Sequence, residues 1–218
     1  VYGLLRILHV AHAGLFTLGG FICVIVTNQT SSFLIAVLTS MILVGLAGMI
    51  IYRICYQPIL DQPPFVPLIA SIGLFIAMEE LFRIFFGAYG LSFTELPLQE
   101  PLALMQINLK QAEWLTIASS VGFVAMLAFL ANRTKLGLAW KATVTDPEIA
   151  SSFGVNIIQV RYLNFFIGSS LAAVSGCMMA VLNNLVEPTM GSVPSYKMLA
   201  IIVLGGLGNV RGTLTAAV

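Results

Sequence analysis

Six apolar stretches, each close to the length of a bilayer-crossing helix, constrain this chain more than any other feature. They run over residues 10–27, 33–54, 65–87, 113–132, 162–183 and 196–218. A helix needs about 20 apolar residues to cross the hydrocarbon core. In lipid the backbone must satisfy its own hydrogen bonds, which leaves helices and closed barrels as the only spanning structures. The chain is 59% hydrophobic and only 9% charged, against about 25% charged in a soluble domain. The expected fold is therefore all-α, a polytopic transmembrane helical bundle with about six membrane segments in a single domain over 1–218. The first stretch is the weakest, because Gly14, Gly19 and Gly20 interrupt it and His9 and His12 stand at its start. Residue 1 opens inside a pattern without Met, and Gly212 to Val218 stop inside an apolar run, so a fragment incomplete at both ends is expected.

Charge sorts the loops. Arg6, Arg53, Arg133, Lys135, Lys141 and Arg161 fall on one side; Lys110 and Lys197, with Glu95, Glu100 and Glu187, fall on the other. The positive-inside rule places loops 55–64 and 133–161 in the cytoplasm and 28–32, 88–112 and 184–195 outside. The net charge of +1 offers no field for nucleic acid. Cys23, Cys55 and Cys177 lie in or beside apolar runs without CxxC spacing, so they are expected to pack as small apolar residues and to hold no metal. Asn28-Gln29-Thr30 matches a glycosylation sequon, a three-residue pattern that recurs by chance.

The polar stretch 133–161 is expected to be a cytoplasmic coupling loop. Within it, Thr145-Asp146-Pro147-Glu148-Ile149-Ala150-Ser151-Ser152-Phe153-Gly154 spells a short helix capped at both ends. Asp146 suits the N-cap, Pro147 the first helical position and Gly154 the C-terminal stop. Two turns of helix do not hold themselves together in water. Ile149 and Phe153, four apart, share one apolar face, and Ala150 and Gly154 permit close approach at the same spacing. Such a helix either seats in a groove on a partner or folds back onto the membrane surface.

Polar residues inside the apolar runs are the candidates for chemistry. On a helix Arg83 falls between Glu79 and Glu80, so one guanidinium could serve both carboxylates, either lining a polar translocation path or forming a self-neutralising cluster near the outer interface. His9 and His12 share a helix face, a spacing that suits cavity lining, a proton relay or a metal; no HExxH pattern accompanies them. Gly168, Ala172 and Gly176 form a small-residue ladder for helix packing, with Ser169 and Ala173 beside it. Gly205, Gly206 and Gly208 follow an apolar stretch, but the third glycine comes one residue late for GxGxxG and no βαβ unit surrounds it. Those glycines therefore suggest a broken or closely packed helix bordering a transport path. No nucleophile elbow is present. An intramembrane enzyme using His9 or His12, and an ATP-independent carrier or channel, are the rival classes.

Three stretches together resemble the permeases of the branched-chain amino acid ABC transporters, specifically the first of the two related permeases in that system. Ala11-His12-Ala13-Gly14, after Val1 to Arg6, resembles an Asn-Phe-Ala-His-Gly motif, with His9-Val10 in place of Asn-Phe and Ala13 in place of the last glycine. Lys141-Ala142 through Asp146, Glu148, Ala150 and Gly154-Val155-Asn156 resembles the segment that contacts the ATPase. Pro188-Thr189-Met190-Gly191 and Val203-Leu204-Gly205-Gly206-Leu207-Gly208-Asn209 match Pro-x-Met-Gly and Val-Leu-Gly-Gly-x-Gly elements. The resemblance implies a multi-pass subunit of the bacterial inner membrane, in a homo- or heterodimer with a second permease. It implies cytoplasmic ATP-binding cassette subunits that hold ATP and Mg, and an external substrate-binding protein. This chain would carry no cofactor and no catalysis. Asp146, Glu148, Ile149, Ala150, Phe153 and Gly154 would couple to the ATPase, while His12, Glu79, Glu80, Arg83, Gly205, Gly206 and Gly208 are candidates for the path. Branched-chain amino acids and urea or short amides both remain open as substrates.

Overall fold

A computed structural model describes residues 9–60, 62–63, 65–104, 107–206 and 210–217. In chain order these form α1 (His12–Thr30), α2 (Phe33–Ile51), α3 (Phe65–Phe86), strands β1 (Pro101–Leu104) and β2 (Ile107–Lys110), α4 (Gln111–Arg133), α5 (Lys135–Thr145), α6 (Pro147–Ser152), α7 (Ile157–Asn183), α8 (Ser192–Gly205) and α9 (Val210–Ala217). α2 runs on through a π turn at Tyr52–Tyr56 and a 3-10 turn at Gln57–Ile59, the latter holding Pro58 in its first turn. Among the described residues, five helices are long and apolar enough to cross a membrane: α1, α2 with its extension to Ile59, α3, α4 and α7.

The sixth expected crossing, 196–218, is not one helix. Gly206 takes φ 86° and ends α8, a conformation that favours glycine. Gly205 then lies against the backbone of Gly212 and Thr213, where a Cβ would sit 2.5 Å from the Thr213 Cα. α8 and α9 thus pack as a hairpin, and the 14 residues of α8 are too few to span the bilayer. Gly208 falls outside the described residues.

Helix α7 is the hub. Its Val174, Cys177 and Val181 are buried, as are Leu15, Phe21 and Val24 of α1 and Val44 of α2. Lipid tails are as apolar as these side chains, so close packing and interhelical hydrogen bonds hold such helices together. Glycines allow the approach. A Cβ on Gly19 would lie 2.5 Å from the Ala173 Cα, Gly48 leaves no room beside the Ser169 hydroxyl, and Gly176 leaves none beside the Phe16 carbonyl. Ser170 Oγ donates to the Met41 carbonyl at 2.9 Å, and Ser40 Oγ to the Gly19 carbonyl at 3.3 Å.

Helix α3 joins the bundle through one stripe, Pro67, Ser71, Phe75, Met78 and Phe82. Between α3 and α4 the chain forms an antiparallel hairpin, with Pro101 opposite Lys110 and Leu104 opposite Ile107. Asn28 clamps the start of this connection: its Nδ2 donates to the Ser92 carbonyl at 3.1 Å, and its Oδ1 accepts from the Thr94 N–H at 3.0 Å. The sequon asparagine has a structural use.

Candidate functional site

The connection after α7 does not stay out at the surface, where the charge pattern puts 184–195. Asn184 turns the chain with φ 57°. Leu91 and Val186 then exchange two backbone hydrogen bonds at 2.9 and 3.0 Å, and the fully buried Val186 packs beside Gly20. Five residues later Gly191 meets the Ala13 carbonyl and Thr17, where a Cβ would not fit. The segment therefore runs back along α1 from its middle towards its N-terminus. Non-helical backbone at such depth is tolerated only against protein or a water-filled cavity.

That fold-back delivers α8 to the flank of a cavity of about 320 Å³ between α1, α7 and α8. His12 and Phe16 line it from α1, Leu171, Ala172 and Ser175 from α7, and Pro194, Ser195 and Met198 from α8. The volume lies within the usual range for small-molecule sites. Its walls are mainly apolar, and no Asp, Glu, Lys or Arg is among the residues that line it.

The packing ladder is divided by this geometry. Gly176 carries the close approach to α1, while Ala172 faces the cavity. His9 bonds Tyr56 Oη through Nδ1 at 2.6 Å, and its ring lies 5.5 Å from that of His12. Among the described residues no group of three His, Cys, Asp or Glu is arranged to hold a metal.

The acidic pair separates. Arg83 bonds Glu80 at 2.6 Å, and both side chains are about half exposed. Glu79 accepts instead from Ser192 Oγ at 2.5 Å. The single guanidinium does not serve both carboxylates, because Glu79 points to the first residue of α8. A carboxylate there suits the positive end of the helix dipole, so Glu79 anchors the helix that brings Pro194 and Ser195 to the cavity. Glu79, Glu80, Arg83, Gly205 and Gly206 do not line the cavity themselves.

Far along the chain, α6 has the double cap that its sequence specifies. Asp146 Oδ1 accepts from the Ile149 N–H at 3.0 Å and Pro147 holds the first position. Gly154 turns with φ 85°, and the Val155 N–H closes onto the Ala150 carbonyl at 3.1 Å. Ala150 is buried, whereas Ile149 is 57% and Phe153 84% exposed. Glu148 is exposed beside them. Neighbouring helices are pinned in the same way, α5 by Thr134 accepting from the Gly137 N–H and α7 by Asn156 accepting from the Gln159 N–H, each at 3.1 Å. A rigidly capped short helix thus presents a bulky aromatic to solvent. Leu138 and Ile158, on the helices either side, are exposed as well.

Three residues near the cavity go unmarked by sequence reasoning. Ser195 falls at the end of the expected outer loop 184–195 until α8 is placed. Arg161 and Asn164 read as loop charge and helix polarity, yet each has a buried side-chain nitrogen. Only the start of α7 at Ile157 reveals that both stand inside a spanning helix.

Comparison with known proteins bears on the whole chain. The family described as branched-chain amino acid transport system / permease component matches residues 1–218. The high-affinity branched-chain amino acid transport system permease protein LivH of Salmonella typhimurium is 25% identical over 228 residues, covering 98% of this chain and 74% of its own length. The corresponding protein BraD of Pseudomonas aeruginosa is 25% identical with the same coverage. A second Salmonella typhimurium permease of that system, LivM, is 31% identical over 99 residues, 44% of this chain and 23% of its own. No solved structure matches the chain significantly.

Proposed function

The chain belongs to the branched-chain amino acid transport permease family, and on that premise we propose that it is the membrane-spanning subunit of an ATP-binding cassette importer for branched-chain amino acids. It sits in the bacterial inner membrane with loops 55–64 and 133–161 in the cytoplasm. ATP and Mg belong to a separate cytoplasmic ATPase, and an external binding protein delivers substrate. This chain performs no chemistry of its own. The existence of two related permeases, LivH and LivM, in one named system of Salmonella typhimurium supports a pairing with a second permease.

The observation that carries the proposal is α6. A helix of six residues, fixed by Asp146 and Gly154 with Ile149 and Phe153 uncovered, transmits force only when seated in a partner. An ATPase groove is the partner that gives such a rigid knob a use. Motion taken up at α6 passes through α5 and α7, which it contacts, to the helix that lines the cavity. The cavity itself fits the substrate class: apolar walls suit a branched aliphatic side chain, and His12, Ser175 and Ser195 supply hydrogen-bonding groups. Alternating access would then open the α1–α7–α8 cavity to each side in turn.

The deciding experiment is co-purification of the ATPase with Phe153→Asp and Ile149→Asp chains, alongside uptake into vesicles. Both variants are expected to lose the ATPase and to abolish ATP-dependent leucine uptake while the chain still inserts. Full association and uptake in both would end the docking proposal. Competition settles the substrate: excess isoleucine or valine should suppress leucine uptake, and suppression by urea alone would transfer the site to small amides.

A further inference from the structure

From His12 in the cavity wall towards the start of α7 lies a run of buried polar groups. Seven buried side-chain nitrogen or oxygen atoms of the described residues have no hydrogen-bond partner, and four of them fall here: His12 Nδ1, His9 Nε2, Asn164 Nδ2 and Arg161 Nε. On α7, Leu171, Ala172 and Ser175 line the cavity. Asn164 and Arg161 continue the same face one and two turns further on, about 16 Å from Ala172 to Arg161 along the axis. Beside Asn164 on the same helix, the Phe165 ring lies 5.3 Å from His9 and 4.8 Å from Tyr52. Buried polar atoms and aromatic rings thus stand along α7 between the cavity and the start of the helix.

The chemistry of the unpartnered atoms selects a ligand. Arg Nε and Asn Nδ2 only donate, so what both lack is an acceptor. Among the described residues no carboxylate pairs with Arg161, the one ion pair there being Arg83–Glu80. A planar guanidinium beside an amide is suited to an oxyanion with two acceptor atoms. We propose that Arg161 and Asn164 form an inner anion station that receives the carboxylate of a small amino acid once it has passed His12 from the cavity. The assignment of the anion to an amino acid rests on the permease function proposed above; the anion site itself does not. A lipid phosphate offers the same oxyanion chemistry, and is told apart by a response to lipid content instead of to leucine.

The test reads the local charge directly, in the assembled transporter in vesicles. Asn164→Cys is introduced into a chain whose Cys23, Cys55 and Cys177 are alanine, and its labelling by a small sulfonate-bearing and a small ammonium-bearing methanethiosulfonate is timed. The anionic reagent is expected to react about tenfold faster than the cationic one. Arg161→Gln should erase that preference, whereas Arg161→Lys, which keeps the charge and the topology, should retain it. Leucine should slow the anionic reaction and leucinol, which lacks the carboxylate, should not. Absence of a charge preference, or a preference indifferent to Arg161→Gln, overturns the station. Protection that follows phosphatidylglycerol content and ignores leucine assigns the arginine to lipid and overturns it equally. A preference with protection by neither leaves the anion station standing and removes the amino-acid assignment.

Discussion

Helices α4 and α7 have almost the same mean hydropathy over their most apolar windows, 2.0 and 1.9, yet none of the α4 window and 61% of the α7 window is buried inside the chain. Apolarity brings both into the membrane and says nothing about where they go next, because lipid is as good a solvent for leucine as a neighbouring helix is. What separates them is shape. Gly176 and Ser169 of α7 meet backbone or side-chain atoms of α1 and α2, whereas Gly122 of α4 has no atom within 4 Å of the place its Cβ would take. α4 is instead held near its ends. Glu113 accepts from the Lys110 N–H at 2.8 Å, Trp114 Nε1 donates to the Leu102 carbonyl at 3.2 Å, and α5 packs against its far end.

The sharpest way to break this comparison is to put the same side chain at the two glycines. Gly176→Leu drives a side chain into the Phe16 carbonyl, an overpacking expected to cost about 3 kcal/mol. Gly122→Leu enters open space and removes a mid-helix glycine, so it should be neutral or stabilising by about 1 kcal/mol. Thermal melts of the detergent-solubilised chain read both. Equal effects would mean that α4 and α7 do not differ as their glycines indicate.

The same contrast explains what was legible beforehand. Membrane segments follow from run length, so five of the six expected stretches correspond to spanning helices. The sixth fails because its break depends on a positive φ at Gly206 and on the seat of Gly205 against Thr213, and a hydropathy window registers neither. The double cap of α6 was readable because capping is a local rule written into neighbouring residues. The fold-back of 184–191 was not: Val186 is buried through Leu91 and Gly20, far away in sequence. The Glu79–Ser192 bond, on which the position of α8 relies, hides for the same reason. A helical wheel shows that Glu79 and Arg83 share a face, but cannot show that a second helix begins there.

A second comparison, within one turn of α3, has a smaller expected effect. Removing Glu79 leaves Ser192 and the start of α8 without their partner, so Glu79→Ala should cost about 1–3 kcal/mol. It should also distort the cavity, weakening leucine binding. Glu80→Ala breaks only the half-exposed pair with Arg83, worth about 0–1 kcal/mol. Melting temperature and leucine binding measured on both variants distinguish an anchor from a surface pair; matching losses would deny Glu79 its special place.

The smallest effect on stability belongs to α6, which, like α4, has an apolar face that its own chain leaves open. Asp146→Ala removes the acceptor for the Ile149 N–H and should cost about 1 kcal/mol, confined to the short helix. Asp146→Ser should restore most of it, since a serine oxygen accepts the same bond. Amide exchange should speed up over 147–153 in Asp146→Ala while the α1–α2–α7 core keeps its protection. If α6 couples to an ATPase, association should weaken in step with that local exchange although Ile149 and Phe153 are both intact. Unchanged exchange would show that the cap does not hold the helix. Faster exchange with unchanged association would show that the partner, and not the cap, sets its shape.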